Sequence, residues 1–138
     1  MTLTIELACA AGAIGLGLLQ LTLTAIELRR VHGLAWANTA RDQASGKADS
    51  PLLGRLQRAQ SNLMETLPHF IGIILIIHVA GLSGVESERA AIVFLAARVV
   101  YLPLYAFGVP WLRGLVWGIS FVALIGLAYI PIATFLMS

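Results

Sequence analysis

From Gly114 to Ser138 the chain reads GLVWGISFVALIGLAYIPIATFLMS, a run without one formal charge. At about 1.5 Å of rise per residue, a helix of this length more than covers the roughly 30 Å of a bilayer's hydrocarbon core. Lipid admits only helices and closed barrels as spanning forms, and a barrel strand alternates polar and apolar side chains over about ten residues. No such alternation is present here, so the stretch reads as a membrane-crossing helix.

Working outward, three further runs have the required length. Leu7 to Ile26 carries no charge, Thr66 to Val85 is entered through Leu63, Met64 and Glu65, and Ala90 to Gly108 is interrupted by Arg98. Over all 138 residues 59% are hydrophobic and 12% charged, with a mean hydropathy of +0.87, well outside soluble composition. The expected fold is all-α: an integral membrane four-helix bundle. One transmembrane domain fills residues 1–138, with helices near residues 3–32, 56–83, 88–108 and 112–137 and a loop over residues 33–55. The first charge is Glu6, not the basic start of a signal peptide, so the first run reads as a retained helix. Cys9 is the only cysteine, which excludes an internal disulfide and a cysteine metal site and leaves it as a small lipid-facing or packing residue.

Six of the nine basic residues (Arg29, Arg30, Arg41, Lys47, Arg55 and Arg58) lie between the first two spans, against only Arg89 between the second and third. Positive-inside bias puts this first loop in the cytoplasm and both termini of the multi-pass chain on the opposite side. The polar, turn-prone stretch from Ala37 to Gly54 is too small for a domain. A net charge of +2, carried where topology alone would put it, gives no reason to invoke nucleic acid.

Ionisable groups inside spans cost about 2.5–3.5 kcal/mol each on insertion scales, so those present mark buried or functional positions. Arg58, Asn62 and Glu65 follow i, i+4, i+7 and share a helix face, as do Arg98, Tyr101 and Tyr105 at i, i+3, i+7. By the expected topology these groups join Glu27, Arg29, Arg30 and Arg113 in the cytoplasmic half. The set contains guanidiniums, a carboxylate, an amide and two phenols, with no metal triad and no serine, histidine and acid arrangement. It suits a small ligand with two carboxylates and an ammonium: arginines pair carboxylates in parallel bonds, Glu65 takes the ammonium and Asn62 a peptide group. His69 and His78, nine residues apart, do not share a helix face as a metal pair would. Pro68 and Pro103 kink their helices and open room between them.

The run Arg58-Ala59-Gln60-Ser61-Asn62-Leu63-Met64-Glu65-Thr66-Leu67-Pro68-His69-Phe70 resembles the second-helix signature of the MAPEG superfamily, membrane-associated proteins in eicosanoid and glutathione metabolism. Arg98, Tyr105 and Arg113 fall where that family has Arg, Tyr and Arg, and the likeness runs the length of the chain. The resemblance implies a homotrimer with glutathione as co-substrate, bound between subunits near the cytoplasmic face, and a lipophilic substrate reaching it from the membrane lipids. It also implies that Arg30 (or the adjacent Arg29), Arg58, Asn62, Glu65, Arg98, Tyr101 and Tyr105 hold glutathione, while Arg113 stabilises its thiolate; no metal is implied. Gly114 stands where the prostaglandin E synthase branch has serine and Tyr101 where it has histidine, which argues against that activity. The expected function is a bacterial-type microsomal glutathione transferase or peroxidase. The alternatives are a non-catalytic lipid-binding or partner-binding protein on the same scaffold, and a small transporter or channel subunit.

Overall fold

The protein is described from a computed structural model covering residues 3–138. Its helices are α1 (Ile5–His32), the single turn α2 (Leu34–Ala37), α3 (Pro51–Val79), α4 (Val85–Ala106) and α5 (Pro110–Met137). There is no strand among the described residues. The four long helices are each long and apolar enough to cross a membrane.

Local chemistry sets their ends and moves several expected boundaries. The second long helix begins at Pro51, not near residue 56: Ser50 Oγ accepts the Leu53 N–H at 3.0 Å, and a proline at the first helical position is already bent for a helix. Together with α2 this shortens the loop expected over residues 33–55. The same helix stops at Val79 instead of residue 83, because Gly81 turns the chain with φ 68°. The next starts at Val85 instead of residue 88, where Ser87 Oγ accepts the Gly84 N–H at 2.9 Å, and ends at Ala106 because Gly108 takes φ 74°. Pro110 opens α5 two residues earlier than expected, which places Arg113 in its first turn. Thr4 caps α1, which therefore starts at Ile5 and not at residue 3.

Arranged in space, α4 and α5 form the most extensive helix pair, α1 packs on α3 and α4, and α3 meets α5 least. Fully buried Ala13, Ala59 and Ala91 let backbones approach, the usual device where lipid removes any hydrophobic drive between helices. Phe70 of α3 stacks on Phe94 of α4 with ring centroids 4.0 Å apart. The outside is apolar, with Leu18, Ile76, Val122 and Phe135 among many exposed, as a lipid solvent requires. Two ends differ in polarity. At one, Glu6 of α1 accepts from Ser87 of α4 at 2.6 Å. At the other, Ser50 donates to Glu27 at 2.7 Å and Arg55 to the Ala106 carbonyl at 3.3 Å. That second end gathers the end of α1, the start of α3 and the joint between α4 and α5.

Candidate functional site

Arg98 has the largest side chain fully buried in the bundle, 1% exposed. Its Nη1 donates to Asn62 Oδ1 at 2.7 Å and its Nη2 to Thr66 Oγ1 at 2.9 Å, both from α3. The guanidinium also lies 5.5 Å from the ring centroids of Phe94 and Tyr101. No carboxylate pairs with it among the described residues, and its Nε has no hydrogen-bond partner there. A cation taken out of water is thus held by neutral oxygens and aromatic faces.

From Arg98 a row of side chains runs toward the polar end. Tyr101 and Tyr105, both buried, meet edge to face at 5.4 Å. Half-buried Arg113, in the first turn of α5, holds its Cζ 4.5 Å from the Tyr105 ring centroid. Five residues expected in one site are therefore contiguous: Asn62, Arg98, Tyr101, Tyr105 and Arg113. With Arg98 closed inside the bundle, two phenols beyond it and the half-buried Arg113 at the open end with no acid in the row, the arrangement can hold a negative charge at Arg113.

The other three lie outside the row, though Glu65 is near enough to Arg98 and Tyr101 to act on them electrostatically. Glu65 and Arg58 are exposed, the latter folded back over Gly54 and in no ion pair among the described residues. Arg30 is committed to Glu27 in a two-bond pair of 2.7 and 2.6 Å. Glu65 also borders a groove of about 560 Å³ between α3 and α5, lined by Thr66 and His69 on one side and by Trp117, Phe121 and Leu124 on the other. The His69 Nδ1–H donates to the Glu65 carbonyl at 2.9 Å. The Trp117 indole N–H is buried without a hydrogen-bond partner among the described residues, a free donor beside an apolar channel.

Several participants escape the sequence reading. Thr66 follows Asn62 by four residues, a visible spacing, but opens an apolar run; Phe94 precedes Arg98 by four and reads as core. Outside that set, Ser45, His32 and Asp49 form a serine, histidine and acid contact between the loop and the end of α1. His32 Nε2–H donates to Asp49 Oδ1 at 2.6 Å, and its Nδ1 meets the Ser45 hydroxyl. Ser45 also accepts the Lys47 N–H at 3.2 Å, and the cavity beside it is lined by residues from Trp36 to Ala44. These bonds fasten the loop to the end of α1. Among the described residues no cluster of three or more metal-ligating side chains exists.

The sequence model of the MAPEG family matches residues 7–133. None of the curated proteins and none of the solved structures compared matches the chain.

Proposed function

The chain belongs to the MAPEG family, and from that membership we propose that it is a membrane-bound glutathione-dependent transferase or peroxidase acting on a lipophilic substrate. The observation that carries the proposal is Arg113, lodged on Tyr105 at the end of the row from Arg98 with no acid to neutralise it among the described residues. A free thiol has a pKa near 8.5, and a guanidinium beside it favours the thiolate, the species that attacks. In conjugation, the thiolate sulfur bonds to an electrophilic carbon and the leaving group departs with its electron pair. In peroxide reduction, the thiolate takes the terminal OH as the O–O bond breaks, giving a sulfenic acid and an alkoxide that gains a proton from water, and a second glutathione thiol converts the sulfenic acid to disulfide and water.

Arg58, Asn62, Glu65, Arg98, Tyr101 and Tyr105 bind the tripeptide in this reading. Arg30 joins them by sharing its guanidinium with Glu27. Arg58 and Glu65 are both exposed at the surface of their own bundle, which supports a site closed by a neighbouring subunit in a homotrimer. The groove beneath Glu65 offers the acceptor a path from the lipid, past Trp117 and Phe121.

Purified protein should conjugate glutathione to an aromatic electrophile. Arg113→Ala should lower turnover by about 10²–10³-fold, the range for losing a donor to developing charge, and leave glutathione affinity nearly intact. Glu65→Ala should chiefly weaken binding. Equal losses in both variants would contradict the division of roles. Millimolar glutathione that neither reacts nor raises thermal stability would sink the proposal altogether, whereas binding without turnover would mean a non-catalytic scaffold.

A further inference from the structure

The joint between α4 and α5, Phe107 to Val109, separates Tyr105 from Arg113. Its path is set by three backbone bonds: Phe107 N–H to Pro103 O at 2.9 Å, Gly108 N–H to Tyr105 O at 3.1 Å and Val109 N–H to Leu104 O at 3.0 Å. Gly108 sits at φ 74°, a conformation that a side chain strains. A distant residue also reaches this joint. Arg55 of α3, fifty-one positions from Ala106, donates Nη1 to the Ala106 carbonyl at 3.3 Å. That carbonyl ends α4 and has no partner one turn on within the helix, and a cation is favoured beside it. The guanidinium presses so closely on Gly108 that a Cβ there would stand 2.8 Å from Arg55 Cζ. Positive-inside bias accounts for an arginine in this loop-facing turn, but not for one half-buried against a glycine of another helix pair.

We infer that Arg55 is a positioning residue for Arg113. Seated on Gly108 and bonded to the last turn of α4, it fixes the angle at which α5 departs and so keeps the Arg113 guanidinium over Tyr105, where the thiolate is to be held. The inference rests on the glutathione reading above. Arg55 acts through the backbone of the joint and touches neither the thiol nor the acceptor.

The test follows bound glutathione's thiolate by its ultraviolet absorbance as pH is varied, alongside glutathione affinity and kcat. The wild-type protein should form thiolate at a pH below that of free glutathione. In Arg55→Ala the midpoint should rise by about one pH unit, the scale of an ion displaced from a neighbour. At the same time kcat should fall between about tenfold and a hundredfold, with affinity little changed. Gly108→Ala, which pushes the guanidinium away without removing its charge, should move the midpoint in the same direction. If Arg55→Ala does not accumulate, Arg55→Lys carries the test: it keeps the charge, loses the forked seat on the glycine, and should shift the midpoint upward. A midpoint unmoved in these variants, even with lowered thermal stability, overturns the inference and leaves the glutathione reading standing. A wild-type protein that forms no thiolate overturns both, and that failure is read on the wild type alone.

Discussion

At the scale of the residue, the bundle treats one charge unusually: Arg98 is buried with an amide and a hydroxyl for partners instead of a carboxylate. Removing the hydroxyl is a direct probe. Thr66→Val should lower stability in detergent by about 1 kcal/mol, the scale of a hydrogen bond between membrane helices, and Thr66→Ser should restore it. A Thr66→Val thermal midpoint equal to wild type would mean that Arg98 finds another acceptor. The sequence makes Arg98 and Asn62 conspicuous because polar groups stand out in an apolar run. It cannot divide Asn62 from Glu65: about 60° of helix separates them at 3.6 residues per turn, and only the position of α4 turns one inward and leaves the other exposed.

The elements themselves are legible wherever an apolar run and a helix coincide. They part company at α3, whose first two turns, from Pro51 to Arg58, carry charge and lie before the apolar run. Ser50 followed by Pro51 is a helix-start signal; beside Gly46 and Asp49 it reads equally as a turn. In the structure Ser50 does two things, accepting from Leu53 and donating to Glu27, so it joins the start of α3 to the end of α1. Ser50→Ala should therefore cost about 1 kcal/mol, an ordinary helix cap, and speed proteolysis between residues 38 and 49. Unchanged cleavage would show that the His32 contacts alone hold the loop. Those contacts bridge thirteen and seventeen positions, and no local spacing announces them.

For the whole molecule, hydropathy gives the spans but not which helices adjoin, because every outer face is equally apolar. The pairing of α4 with α5 and the loose meeting of α3 with α5 come from side-chain fit, and with them the groove under Glu65. Charge offers one global expectation. In a Cys9→Ala background, Gln43→Cys should react with a membrane-impermeant maleimide only from the cytoplasmic side, and Ser83→Cys only from the other; both residues are exposed. The reverse pattern would invert the orientation expected from the basic loop. Arg98 finally bears on how such a molecule is made. Alone in lipid, α4 bears a charge that disfavours its insertion by about 2.5–3.5 kcal/mol; beside α3 it has Asn62 and Thr66. Only Ala80 to Gly84 lie between the two helices, so they emerge from the ribosome in succession, and the acceptors precede the arginine into the bilayer. A hairpin of α3 and α4 should therefore insert more readily than α4 alone.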